Sequence, residues 1–238
     1  VLNRVVVVVP AHDEQALLPD CLSALQAALH DQPVRTELIV VADQCRDDTA
    51  AIAEQAGATV VEVAARNVGA ARAAGFAHAL RGGARGLWLA TTDADSRVPR
   101  DWIDWHRHHA RRGTDILAGT VTVTDWTPRG RWVRDRYEKR YRSGLHGSDH
   151  THVHGANLGC TASAYADLDG FAPLAHGEDH DLVFRGRQAG LRVVADASCP
   201  VDTSARHHSR APAGFARYLD TYDESRALPA TLTPTQMA

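Results

Sequence analysis

The apolar positions of this chain change their period along its length, and the changes mark out its elements. Valines fill positions 5–9 without a break, the pattern of a central parallel strand buried on both faces. Leu17, Leu18, Cys21, Leu22, Leu25 and Leu29 then recur at helical spacing, which gives a first β-α unit. Residues 37–42 predict the next strand, 48–56 a helix ended by Gly57, and 59–63 a third strand. An alanine-rich helix over 67–80 stops at Gly82-Gly83; a fourth strand spans 87–90, and Pro99 marks the first turn of a helix running to His109. Repeated β-α units predict an α/β fold, a mostly parallel Rossmann-like sheet with helices on both faces and right-handed crossovers. Ligands then belong at the carboxyl ends of the strands.

Beyond residue 110 the rhythm breaks. Residues 116–124 read as a strand, 131–142 as an amphipathic helix and 150–159 as a loop or short strand containing Gly and His. A helix over 178–188 is closed by Gly190, a strand follows at 191–195, and 198–204 and 214–227 read as a last strand and a last helix. Internal repeats and low-complexity linkers are absent, so the expectation is a single domain over 1–238, with a nucleotide-binding half to residue 95 and an acceptor-side half from 96.

The chemistry gathers where the predicted strands end. Asp93-Ala94-Asp95 follows the apolar run Leu87, Trp88, Leu89, Ala90, which delivers two carboxylates into a crevice. An Asp-x-Asp triplet alone is usually a polar loop or a helix cap rather than a metal site. Here it has company: the first strand runs into Pro10-Ala11-His12-Asp13-Glu14, the second ends at Asp43, and Glu178-Asp179 opens a later helix. The turn after the first strand lacks the G-x-G-x-x-G through which a dinucleotide's pyrophosphate approaches bare backbone. Pro10 stiffens the strand exit instead, and Glu14 can accept hydrogen bonds from a ribose hydroxyl or a ring N–H. For Glu178-Asp179 the plain alternative is an acidic helix N-terminus, with Asp181 and Arg185 as an i,i+4 ion pair.

Taken together, P-A-H-D-E, V-V-A-D-Q-C-R-D-D-T, N-V-G-A-A-R, the D-A-D after an apolar strand and G-E-D-H-D-L-V-F-R-G-R-Q-A-G-L-R-V resemble the family 2 glycosyltransferases, over most of residues 5–194. The resemblance implies a GT-A fold and an inverting, metal-dependent transfer of a sugar from a nucleoside diphosphate sugar to a hydroxyl acceptor. It implies a nucleoside site lined by Pro10, Ala11, His12 and Glu14, with Asp43 reading the base, Arg72 near the diphosphate, and Asp93 and Ala94 beside them. Asp95, with Asp93 touching the ribose or the metal, would hold Mg²⁺ or Mn²⁺; Asp179, paired with Glu178, would be the catalytic base. His154, Gly155, Ala156 and Asn157 lie where the family contacts sugar or acceptor. The chain departs from the family pattern at His12-Asp13, at Gln44-Cys45, at Ala73, where Asn is frequent, and at Gly186. None of these removes a catalytic group. The physical logic agrees: a hard cation on carboxylate oxygens neutralises the leaving group, and the acceptor needs a positioned base.

Composition narrows the partners. The 238 residues are 44% hydrophobic and 23% charged, ordinary for a globular chain, and a net charge of −3 gives no general attraction to nucleic acid. Cys21, Cys45, Cys160 and Cys199 lack C-x-x-C spacing and read as reduced interior thiols. No apolar stretch approaches the roughly 20 residues of a membrane span, so the expected location is cytoplasmic. Lys139 is the only lysine.

Two other features stand out. His152, His154, His207 and His208 invite a metal reading, but in a chain with 14 histidines close pairs arise readily; His207 or His208 could complete a metal shell. The segment from Trp126 to Arg142 interleaves aromatic and basic residues, which fits an amphipathic helix with a solvated face, an anionic acceptor or a peripheral contact with acidic lipid. Rival functions are a nucleotidyltransferase, whose Gly-rich triphosphate loop is missing, and a non-catalytic nucleotide- or sugar-binding protein, which would not need Asp95 and Asp179. A metal-dependent hydrolase is more remote.

Overall fold

The structure is a computed structural model that describes residues 1–207 and 214–227. Its first half follows the predicted alternation: β1 (Arg4–Ala11), α1 (Leu18–Leu29), β2 (Arg35–Asp43), α2 (Thr49–Gln55), β3 (Thr59–Val63), α3 (Val68–Leu80) and β4 (Leu87–Thr91). Then come β5 (Ser96–Arg97), α4 (Trp102–Arg111), β6 (Ile116–Thr122), α5 (Gly130–Arg142) and a small hairpin of β7 (Leu145–His146) and β8 (Asp149–His150). A 3₁₀ turn (Gly155–Asn157) leads into β9 (Leu158–Thr161), followed by α6 (Ala162–Asp167), α7 (Glu178–Gln188), β10 (Val193–Thr203) and α8 (Phe215–Ala227).

Eight strands form one sheet in the order β3-β2-β1-β4-β9-β6-β10-β5. The block β3-β2-β1-β4 is parallel, and so is the pair β6–β10. Between the blocks lies β9, antiparallel to both β4 and β6. Residues 150–159 thus hold more than a loop: their end supplies the strand that joins the two halves of the sheet. The two strands predicted at 191–195 and 198–204 are one, β10, with a register shift between Asp196 and Val201.

Alternation along β1 shows why its valines are all buried. Val5, Val7 and Val9 face a core with Leu18, Leu22 and Leu25 of α1 and Trp102 and Ile103 of α4. Val6 and Val8 face Phe76 of α3, Tyr165 of α6 and Leu182 of α7. A smaller cluster of Trp126, Val133, Tyr137 and Leu219 packs α5 against α8. One polar residue ties these layers: Asn157, fully buried, donates from Nδ2 to the carbonyls of Thr120 and Cys199 (both 2.9 Å) and accepts from Trp102 Nε1 (2.8 Å). Its hydrogen-bonding capacity is used in joining β6, β10 and α4, so the expected contact of Asn157 with sugar or acceptor is corrected to a structural role.

Candidate active site

The carboxyl ends of β1, β2 and β4 meet the N-terminus of α7, and a single guanidinium links the two acidic motifs. Arg72, on α3 and 3% exposed, pairs with Asp93 through Nη2 and with Glu178 through Nη1, while its Nε donates to Thr91 Oγ1 at 3.3 Å. A side chain at Gly155 would overlap this guanidinium, which explains a glycine there. Glu178, expected beside the base, is 2% exposed and committed to Arg72; it positions the arginine rather than meeting substrate. Arg72, expected near the diphosphate, has each of its three nitrogens engaged on the protein side, by Glu178, Asp93 and Thr91.

Asp179 is the half-exposed member of the pair. Gly177 at φ 74° turns the chain into α7, and Asp179 follows in the first turn, where the helix dipole favours an ionised carboxylate. Its Oδ2 accepts from the Gly155 N–H at 2.6 Å, which aims the side chain toward the 154–155 segment. His154 stands next to it. Burial holds the His154 imidazole at about 3, against the pull of the nearby Asp179 charge, so the ring is neutral at working pH. The Val121 N–H donates to Tyr141 Oη (2.9 Å), leaving the phenol proton for His154 Nε2 at 3.1 Å. Nε2 is then the acceptor, and the ring proton sits on Nδ1. Ala156, 5% exposed, completes the turn without a polar group to offer.

At the other end of the crevice the carboxylates outnumber their counter-ions. Glu14, 5% exposed, binds Arg206 through both oxygens (2.6 and 2.7 Å), and the same guanidinium lies 3.0 Å from Asp95. Glu14 is therefore already paired where a free acceptor for a ribose was expected. Burial pushes the Asp95 carboxyl up to about 7; Asp93 and Glu14 push the same way, and Arg206 only partly offsets them. This excess of negative charge on hard oxygen donors fits Mg²⁺ or Mn²⁺. Among the described residues Asp93 and Asp95 share no third side-chain ligand within 4.8 Å. Ala94 is buried between the two aspartates.

Asp43 has more work than the sequence suggested. Its Oδ1 accepts from the N–H groups of Ala65 and Arg66 (both 2.8 Å) and its Oδ2 from Asn67 (2.9 Å), tying the end of β2 to the loop that enters α3. At 4% exposure it keeps about one free lone-pair direction for a base N–H, so recognition by an otherwise free carboxylate is corrected. His12 packs beside it, its Nδ1 donating to the Asp43 carbonyl at 2.6 Å, with Pro10 and Ala11 completing the strand exit. His207 is engaged by the Pro128 carbonyl, within reach of Asp220 and Asp223 rather than the Asp93–Asp95 pair, and His208 lies outside the described residues. Sequence reasoning missed Arg206 and Tyr141. The surplus of acids at the strand ends was a signal that a cation must lie among them, but nothing in the spacing pointed to position 206.

Residues 6–167, more than half of the chain, match the family model of glycosyl transferase family 2. The chain belongs to this family. Among curated proteins, the undecaprenyl-phosphate 4-deoxy-4-formamido-L-arabinose transferase of Shewanella sediminis is 35% identical over 127 residues, 50% of this chain and 37% of the relative. The namesake of Pseudomonas paraeruginosa is 35% identical over 123 residues, 49% of this chain and 35% of the relative. The match thus spans just over a third of these relatives' length. Among solved structures, Staphylococcus aureus TarS 1–349 in complex with UDP-GlcNAc superposes with a TM-score of 0.69 at 14% identity, covering 89% of this chain and 61% of that one. Glucosyl-3-phosphoglycerate synthase of Mycobacterium tuberculosis, with Mn²⁺, UDP and glucosyl-3-phosphoglycerate, gives a TM-score of 0.62 at 20% identity, covering 96% and 82%. The fold is GT-A, as in these two solved structures.

Proposed function

We propose that this glycosyltransferase moves a sugar from a nucleoside diphosphate donor to a hydroxyl-bearing acceptor with inversion at the anomeric carbon. The observation that carries the reading is the Arg72 bridge between Asp93 and Glu178, which sets the donor-side carboxylates and the neighbouring Asp179 on one crevice. Structural relatives solved with UDP-GlcNAc, or with UDP and Mn²⁺, support the same donor chemistry. Pro10, Ala11, His12 and the last acceptor position of Asp43 line the nucleoside, and Glu14 reaches the ribose when Arg206 releases it. Asp95 and Asp93 would hold a divalent cation, which would supply charge neutralisation at a diphosphate leaving group. Asp179 takes the proton from the acceptor hydroxyl as its oxygen bonds to the anomeric carbon, and the sugar–phosphate bond breaks with its electrons leaving on the nucleoside diphosphate. Gly155 holds Asp179 for that step, and neutral His154 offers Nδ1–H beside it without competing for the proton.

The test is calorimetry of UDP- and GDP-sugars into the chain with Mn²⁺ and with chelator, followed by NMR of the product's anomeric configuration. Metal-dependent binding that is lost in Asp95→Ala, with an inverted product, is the expected result. Equal affinity with chelator removes the metal role, and a retained configuration removes the single displacement.

A further inference from the structure

One arginine stands where the donor-side carboxylates meet. Arg206 forks onto both oxygens of Glu14, Nη1 at 2.6 Å and Nη2 at 2.7 Å, and the same Nη2 lies 3.0 Å from Asp95 Oδ2. It clamps the loop after β1 to the turn after β4. Its backbone is fastened by a second arginine: the Arg129 guanidinium, fully buried, donates to the carbonyls of Ala205 (2.8 Å), Arg206 (2.6 Å) and Ala216 (2.8 Å) and pairs with Asp220 (2.7 Å). The chain at 206 is thus pinned to α8 and to the residue before α5. The Arg206 side chain itself is 22% exposed, so rotation about its own bonds releases it with no change in the strand.

Arg206 and a metal ion have claims on the same oxygens. Arg72 already serves Asp93 and Glu178, which leaves Arg206 as the counter-ion of Glu14 and Asp95. An ion on Asp95 Oδ2, at the ~2.1 Å usual for Mg²⁺, would lie within roughly 5 Å of the guanidinium nitrogen held 3.0 Å from that atom. Two cations that close repel strongly where water is scarce. Glu14 faces the same choice, because a carboxylate with both oxygens on one guanidinium has little left for a ribose hydroxyl. Ion and nucleoside each gain when Arg206 leaves.

Resting on the metal reading proposed above, we propose that Arg206 is a tethered competitor of the divalent cation, a guanidinium that holds Glu14 and Asp95 until a nucleoside claims Glu14 and so makes tight metal binding conditional on the donor. Linkage requires the converse: an ion on Asp95 loosens Arg206 and raises the affinity for the nucleoside by the same factor. An arginine kept only to stabilise the acids would raise the melting temperature without selecting between the ion alone and the ion with a nucleotide.

Titration of Mn²⁺ alone into the whole chain, read by the electron paramagnetic resonance of the free ion, tests this apart from sugar transfer. Arg206→Ala should bind Mn²⁺ at least tenfold more tightly than wild type. Arg206→Lys keeps the charge but loses the fork that spans two carboxylates, so its affinity should lie nearer the alanine variant, and it carries the test if the alanine variant does not fold. Guanidinium chloride, well below denaturing concentration, should weaken Mn²⁺ binding by Arg206→Ala more than sodium chloride at the same ionic strength. Uridine and guanosine have the ribose but no phosphate to ligate an ion; at least one should tighten Mn²⁺ in wild type, and neither in Arg206→Ala. Unchanged Mn²⁺ affinity in both variants overturns the competitor role. Equal effects of the two salts overturn occupancy of the ion's place, and no gain from either nucleoside in wild type overturns the dependence on donor. Asp95→Ala separates this proposal from the reading beneath it. If that variant binds Mn²⁺ as wild type does, the metal site itself falls; if it loses Mn²⁺ while the Arg206 variants gain nothing, the metal site stands and the role of the arginine alone fails.

Discussion

At the scale of single residues, two carboxylates that look alike in the sequence have opposite duties. Asp179 accepts from the backbone N–H groups of Gly155 and of its neighbour His180 and is half exposed, so its removal should cost chemistry more than stability. Asp179→Asn is expected to keep the fold and the donor affinity while lowering sugar-transfer turnover by ~10²- to 10⁴-fold, measured by steady-state kinetics beside donor titrations. Asp43 instead collects three backbone N–H groups from Ala65, Arg66 and Asn67. Asp43→Ala strips the loop before α3 of those partners and should lower the unfolding free energy by about 2–4 kcal/mol in urea denaturation, given what a bond to a charged acceptor contributes. Weakened nucleotide binding in that variant would then need its stability measured before it is read as lost base recognition. Acidic type was legible for both residues, as were the strand end at Asp43 and the helix start at Asp179. Their division of labour was not, because it depends on which backbone groups from distant segments come to lie against each carboxylate.

Among the elements, the segment from His154 into β9 governs how closely the two halves of the site approach. Gly155 allows Arg72 to lie against the backbone, and a Cβ at that position would overlap the guanidinium. Gly155→Ala should therefore shift Arg72 away from Asp93 and Glu178 together, lowering turnover by about tenfold or more and stability by about 1–3 kcal/mol, as overpacking typically does. Kinetics and thermal melting read the two effects, and an unchanged variant would show that Arg72 gives way freely. The β-α alternation of the first half was readable because each element there is long and strongly periodic. β9 was harder to foresee: Leu158–Thr161 is four residues long, and its antiparallel place between β4 and β6 is fixed by partners far away in sequence. The E-D pair opening α7 was visible from spacing, whereas the commitment of Glu178 to Arg72 was not, since both ends of that ion pair become buried only when α3 and α7 pack.

For the molecule as a whole, buried histidines set the response to acid. Burial holds His106, among Trp88, Trp102 and Trp105, at about 3, and His154 lies at about 3 as well. In the unfolded chain both take up a proton near 6.5, so between 6.5 and 3 the unfolded state binds more protons and stability falls as pH falls. Asp95, raised by burial, contributes in the opposite direction between its ordinary range and about 7. At pH 5 each neutral histidine should have removed about 2 kcal/mol relative to pH 8. His106→Leu should flatten the dependence by roughly that amount in urea midpoints taken from pH 8 to 5, whatever its effect on stability at pH 8; an unaltered slope would mean that His106 is protonated in the fold. The strand order carries a different consequence, one for the growing chain. Until residues 158–161 have been made, β4 and β6 have no strand between them, and β4 stands as a bare edge beside a finished parallel block. Open edges recruit other chains, so a nascent or clipped chain ending before residue 158 should aggregate where the longer chain does not. The strand that joins the two parallel parts of the sheet is thus also the one whose late arrival covers the bare edge of β4 during synthesis.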